Sequence, residues 1–207
     1  MTARLGMIAV GASWGGLKVL RAIVHGLPAH FPVPVTFVQH RSKESYELRE
    51  LLQDCTSLVV CEVEDKQPIM GGYVYLAPSD YHLLVDGDEF SLTVDAPVRF
   101  ARPSIDVFFE SVAARFGKAA AGVVLTGANE DGALGLQRIA AIGGCAIVQD
   151  PRTAESPIMP RAAIRCVPEA KVLPLERITP HLVALAMESV ERKPQRGKRP
   201  DSSEARP

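Results

Sequence analysis

Apolar residues along this chain fall alternately into short continuous runs and into helical spacings. The first run, Met7 to Val10, ends in Gly11-Ala12-Ser13-Trp14-Gly15-Gly16. Leu17, Leu20, Ile23, Val24 and Leu27 then recur at helical intervals, and Gly26 with Pro28 supplies a stop. Strand, tight turn, helix is the natural reading. Val33 to Gln39 is a second β-rich run, ending at His40. Leu48, Leu51 and Leu52 mark a helix from about Glu44 to Gln53, and Leu58 to Val63 reads as a third strand. Strand alternating with helix predicts a parallel sheet covered on both faces.

The middle of the chain breaks that rhythm. Gly72 to Ala77, Tyr81 to Val85 and Phe90 to Val94 are strand-like runs separated only by Pro78-Ser79-Asp80 and Asp86-Gly87-Asp88. Connections this short suit hairpins, so the three runs predict an antiparallel insert. A helix follows Arg102-Pro103, with Ser104 as N-cap and Ile105, Phe108, Phe109, Val112 and Phe116 as its apolar stripe before Gly117. Ala121 to Thr126 is a buried-type strand, Gly127 to Gly132 a turn, Gly132 to Ile142 a helix and Cys145 to Gln149 a strand. Arg161 to Arg165 predicts a short helical turn, Val172-Leu173 a last strand and Pro180 to Val190 a closing helix. The expected fold is therefore α/β: three layers, α/β/α, doubly wound, with a mostly parallel sheet and an antiparallel hairpin insert.

At 207 residues and 47% apolar content the chain can build one substantial core, assigned to residues 1–190. Residues 191–207 are rich in Lys, Arg, Pro and Ser and are expected to be a charged, disordered tail. A net charge of -1 argues against a surface built for nucleic acid or acidic membranes. No apolar run approaches membrane-spanning length, and no signal-type segment precedes the first strand. Cys55, Cys61, Cys145 and Cys166 form no C-x-x-C pair and have no histidine at metal spacing. They read as reduced cysteines of a cytoplasmic protein without a metal site.

The candidate chemistry starts at Gly11-Ala12-Ser13-Trp14-Gly15, which has the G-x-S-x-G spacing of a nucleophile elbow. The same letters fit a phosphate-cradling turn or a plain tight connection. In an open parallel sheet, ligands bind beyond the carboxyl ends of the strands. Ser13, His40 and Asp131 all fall at such ends. A serine needs a neighbouring base to ionise, and an aspartate on the far nitrogen of a histidine fixes its tautomer. Taken singly the residues are weak: His25, His30, His82 and His181 compete as bases, and Asp131 could simply satisfy a helix dipole. Their joint placement makes the set coherent. The dinucleotide reading fails on the short-chain dehydrogenase pattern, because none of Tyr46, Tyr73, Tyr75 or Tyr81 has a lysine four residues on. Arg41 is only a weak ribose-phosphate selector, and no cofactor is expected.

In this order the motifs resemble the catalytic domain of chemotaxis protein-glutamate methylesterases of the CheB type, over roughly Ile8 to Leu185. Gly11-Ala12-Ser13-x-Gly15-Gly16 is similar to the nucleophile motif and Gln39-His40 to the strand-end histidine. Ala77-Pro78-Ser79-Asp80-Tyr81-His82 resembles the family's hairpin segment, and Arg102-Pro103-Ser104-Ile105-Asp106 the start of its helix. Leu125-Thr126-Gly127 with Asp131-Gly132 resembles the aspartate motif, and Gln149-Asp150-Pro151 with Met159-Pro160 the late loop. The order Ser, His, Asp also differs from ordinary α/β-hydrolases, whose aspartate precedes the histidine.

The resemblance implies hydrolysis of glutamate γ-methyl esters on the cytoplasmic helices of chemoreceptors, with glutamine deamidation in some members. Ser13 would be nucleophile, His40 base and then acid, and Asp131 the residue orienting His40. Backbone N–H groups of Trp14, Ala128 and Asn129 would form the oxyanion hole. Arg102 and Met159 are candidates for substrate contact. The family usually has a small residue at 14, methionine and glycine at 128 and 129, and glycine at 158. Here the chain has Trp14, Ala128, Asn129 and Ile158, departures that bear on substrate preference. Typical members carry an N-terminal receiver domain, whereas this chain begins at the catalytic strand, so regulation is expected to be absent, intermolecular through a separate receiver protein, or tied to another pathway. The rival expectation is a non-catalytic module that holds a signalling partner in the same cleft.

Overall fold

The structure, a computed structural model, describes residues 5–40 and 47–191. The expected helix start at Glu44, together with Arg41, Tyr46 and the tail beyond Glu191, lies outside the described residues. Seven strands form one sheet: β1 (Met7–Ala12), β2 (Val35–Gln39), β3 (Val59–Glu62), β4 (Tyr73–Leu76), β7 (Ala120–Val124), β8 (Cys145–Gln149) and β9 (Lys171–Leu173). Their order is β3-β4-β2-β1-β7-β8-β9, and every pairing is parallel. A separate antiparallel hairpin is made by β5 (His82–Asp86) and β6 (Glu89–Thr93). Six α-helices and a short 3-10 turn at Gly117–Ala119 complete the described chain: α1 (Gly16–His25), α2 (Leu48–Gln53), α3 (Ile105–Phe116), α4 (Ala133–Ala141), α5 (Ile158–Cys166) and α6 (Leu175–Glu191).

The alternation of β1 divides the core. Ile8, Val10 and Ala12 pack with Leu20 and Ile23 of α1 and with Ile178 and Leu182 of α6. Met7 and Ala9 face Ile105, Phe108 and Phe109 of α3 and Leu136 of α4. With both faces covered, β1 reads as a continuous apolar run, as buried parallel strands do. Strand order runs outward to β2 on one side of β1 and to β7 on the other. The carboxyl end of β1 is thus a topological switch point, where such sheets bind ligands.

The expected three-strand insert is corrected to two strands. β4 pairs with β2 and β3 in the main sheet, with Val35 opposite Val74 and Val60 opposite Val74 on its two edges. Val74 and Tyr75 are fully buried on opposite faces, so Tyr73-Val74-Tyr75-Leu76 is a central strand. Asp80, at φ 70, lies in the turn between β4 and β5, which pairs with β6 outside the main sheet. Leu83 and Phe90 seal the hairpin onto the α3 side of the core, and Val85 N–H donates to Ser111 Oγ at 3.0 Å. Two helix boundaries also move. α5 begins at Ile158 rather than Arg161, and α6 begins at Leu175 with Pro180 inside it, anchored to α1 through Thr179.

Candidate active site

Three adjacent strand ends deliver the site. The register sets Ala12 beside Gln39 and Gly11 beside Val124, so Ser13, His40 and the Gly127–Asp131 turn emerge side by side. The serine turn has little room for side chains. Ile105 of α3 packs against the position where Gly11 would carry a Cβ, and Gly15 adopts φ 76 with Glu155 directly above it. Hydrogen bonds from the neighbouring strand ends clamp this turn. Ser13 N–H donates to Thr126 O at 3.0 Å, and Thr126 Oγ1 reaches Trp14 O at 2.9 Å while accepting from Ser156 N–H at 2.9 Å. Gln39 Nε2 donates to Ser13 O at 2.8 Å, and to His40 O at 2.9 Å, so one amide ties the two strand ends together. Thr126 and Gln149, which supports Thr126 N–H at 2.9 Å, carry no site role in the sequence reading beyond being motif letters, and Ser156 does not figure in it at all. For Thr126 and Gln149 the signal was a polar residue at or just past the end of a buried apolar strand, whereas Ser156 lies in the loop before α5 and carried none.

Asp131 is fully buried, yet all its acceptor capacity is used. Oδ1 accepts from Ser104 Oγ at 2.9 Å and Asp106 N–H at 3.0 Å. Oδ2 accepts from Ile105 N–H at 2.7 Å and lies 2.8 Å from His40 Nε2. The carboxylate therefore sits on the first N–H groups of α3, where the helix dipole favours negative charge. Burial acts to raise the Asp131 carboxyl. The His40 hydrogen bond and the backbone N–H groups of Asp106 and Ile105 outweigh it and hold the group below its ordinary value. The neighbouring Asp106 carboxyl is pushed up, first by burial and then by the Asp131 charge, against the Gly135 N–H that it accepts at 2.8 Å.

His40 presents its second nitrogen to Asn129, whose Nδ2 lies 3.2 Å from Nδ1. Ser13 Oγ makes no hydrogen bond to a described residue, although Ser13 and His40 line the same two clefts. One cleft continues along Trp14, Leu17 and Glu155, the other along Arg99, Phe100 and Arg102. Trp14 is 65% exposed, and its N–H, with that of Asn129, bonds to no described group. Ala128 is exposed. Asn129 is not among the described residues with positive φ, so this turn does not require glycine.

Several expectations sort themselves on this geometry. His82 is structural: its Nδ1 accepts Ser104 N–H at 3.2 Å and its Nε2 meets Ala96 O at 3.1 Å. Arg102 reaches the cleft, but its Nη1 is committed to Val94 O at 2.9 Å and Asp95 O at 3.1 Å. Met159, expected against substrate, is corrected to a core residue. It is fully buried under Gly127, where any side chain would strike its sulfur, and its N–H donates to Gly127 O at 3.0 Å.

A family model described as CheB methylesterase matches residues 8–182. The chain belongs to the CheB methylesterase family. A relative from Leptospira interrogans is 40% identical over 188 residues, covering 90% of this chain and 97% of its own. The protein-glutamate methylesterase/protein-glutamine glutaminase of Hydrogenovibrio crunogenus is 37% identical, over 86% of this chain and 49% of its own length. This CheB-family chain thus spans nearly all of one relative and about half of the other. The crystal structure of the Thermotoga maritima CheB methylesterase catalytic domain superimposes with a TM-score of 0.84 at 30% identity, over 87% of this chain and 98% of that one. A CheB-type fold accounts for the α/β architecture and for the separate hairpin.

Proposed function

We propose that this chain hydrolyses glutamate γ-methyl esters, and the corresponding glutamine amides, on the cytoplasmic helices of chemoreceptors. The observation that carries the reading is the buried Asp131–His40 pair at 2.8 Å, set beside Ser13 at a switch point in a CheB-family chain. Ser13 Oγ attacks the ester carbonyl and its proton passes to His40 Nδ1, because Asp131 already holds Nε2–H. The carbonyl electron pair moves to oxygen, where the N–H groups of Trp14 and Asn129 and the start of α1 receive it. On collapse, the Nδ1 proton leaves with methoxide as methanol, or with the amide nitrogen as ammonia. Water then repeats the cycle on the acyl-enzyme, and His40 returns a proton to Ser13.

Among the described residues no helix is long and apolar enough to cross a membrane, which suits a substrate met in the cytoplasm. Regulation by a separate receiver protein remains part of this reading. The rival binding module is not favoured by a family of hydrolases that this chain matches through the site itself. The decisive test is methanol release from methylated receptor. Ser13→Ala should lose about 10³- to 10⁶-fold in rate with the fold intact by circular dichroism. Unchanged release would end the proposal.

A further inference from the structure

The Asn129 side chain occupies the working face of the candidate base. Its Oδ1 accepts Asp131 N–H at 3.2 Å, which fixes the amide so that the donor end, Nδ2, faces His40 Nδ1 at 3.2 Å. A donor at Nδ1 requires a lone pair there, so the ring proton resides on Nε2, where Asp131 Oδ2 accepts it at 2.8 Å. Both ends of the imidazole thus specify one tautomer. That same lone pair is the one that must receive the Ser13 proton, and Ser13 Oγ is bonded to no described group.

We infer that Asn129 is a positioning residue that gates the catalytic base: its amide holds His40 in the reactive tautomer and must leave Nδ1 before Ser13 can be deprotonated. The inference rests on Ser13 and His40 acting as nucleophile and base. Asn129 lies half-buried on the wall of the cleft shared with Ser13, His40 and Phe100, so a substrate reaching Ser13 through that cleft passes the amide. An incoming carbonyl can accept the Nδ2–H that Nδ1 gives up, which exchanges one hydrogen bond for another as the base is released. Without substrate, the serine is held in a muted state.

The test is the rate at which a small fluorophosphonate labels Ser13, followed by intact-mass spectrometry, with the nitrogen resonances of ¹⁵N-histidine read in parallel. A neutral hydrogen bond of about 1 kcal/mol converts to roughly fivefold in rate. Asn129→Ala should therefore label about fivefold faster than the parent protein. Its His40 Nδ1 resonance should move away from the hydrogen-bonded position, while Nε2 stays protonated. Asn129→Asp, which has no donor for Nδ1, should label more slowly, because a carboxylate there draws a proton onto that nitrogen. A merely structural role for Asn129 would slow labelling in the alanine variant or leave it unchanged, and either result overturns the gate. Absence of labelling at Ser13 in the parent protein would overturn the nucleophile itself, whereas labelling without acceleration in Asn129→Ala removes only the gate.

Discussion

Asp131 is the residue on which chemistry and folding meet. Its carboxylate takes four hydrogen bonds, and only one comes from His40. An asparagine there must place an amide nitrogen against a donor, either at His40 or at the start of α3. Against His40 it reverses the tautomer and takes the lone pair from Nδ1. Asp131→Asn should therefore lower kcat for methyl-ester hydrolysis by about 10⁴-fold, the scale seen when such an aspartate is neutralised. The same variant should lose about 1.5–3 kcal/mol of stability, measured by urea unfolding, because hydrogen bonds to a charged acceptor are lost. The carboxyl lies below its ordinary value in the folded state, so its stabilisation is complete above about pH 4 and is lost as pH falls through the lower folded value. That Ser13, His40 and Asp131 come together was legible in sequence because two follow strands directly and the third sits in the turn after a neighbouring strand. Which nitrogen faces which partner was not, since that depends on side-chain rotation. Met159 shows the limit from the other side: a motif letter can matter through packing under a turn.

Between elements, α3 and α4 fasten each other. Asp131, in the turn before α4, receives the first N–H groups of α3, and Asp106, in the first turn of α3, receives Gly135 N–H of α4. Gly135 must lack a side chain because Phe109 and the backbone of Asp106 lie against it. Burial raises the Asp106 carboxyl, so its ionisation costs stability as pH rises from its unfolded to its folded value. Asp106→Asn keeps an acceptor for Gly135 and removes that cost. It should melt at or above the parent temperature at pH 7.5. Asp106→Ala loses the cap and should cost about 1 kcal/mol, or about 2–4 °C in Tm by calorimetry. The hydrophobic pattern placed these helices well, whereas β4 was misread because its short connection to β5 imitates a hairpin. Its unbroken apolar sequence, against the alternation of a half-exposed strand, was the available signal. Pro180 misled in the opposite sense by suggesting a start where packing of Thr179 and Leu182 carries the helix through.

At the scale of the molecule, the parallel sheet brings one open site to its carboxyl edge and flanks it with two exposed aromatics. Trp14 stands on one side of Ser13 and His40, and Phe100, fully exposed at φ 64, on the other. An open cleft between such rings suits a helix laid across the surface better than a small molecule sealed from water. Covering an aromatic side chain is worth about 1.5–3 kcal/mol. Phe100→Ala should therefore raise KM for methylated receptor by roughly tenfold or more, and raise KM for a small methyl ester by much less. Equal effects on the two substrates would remove Phe100 from receptor contact. The alternation of strand and helix was readable from periodicity and turn residues, β4 excepted, but Phe100 was not, because its exposure is fixed by a two-residue turn between Val98 and Ala101.

The double duty of Asp131 bears on how such chains age. Losing the hydroxyl of Ser13 breaks no hydrogen bond to a described group, whereas losing the carboxylate of Asp131 unseats the start of α3. A lineage released from selection for hydrolysis can shed the serine with little harm to folding and must keep the aspartate for architecture. In a degenerate, pseudoenzyme descendant of this fold, an aspartate at the turn carries no news about activity. Under the proposed mechanism, the serine is the letter that reports whether the enzyme is still alive.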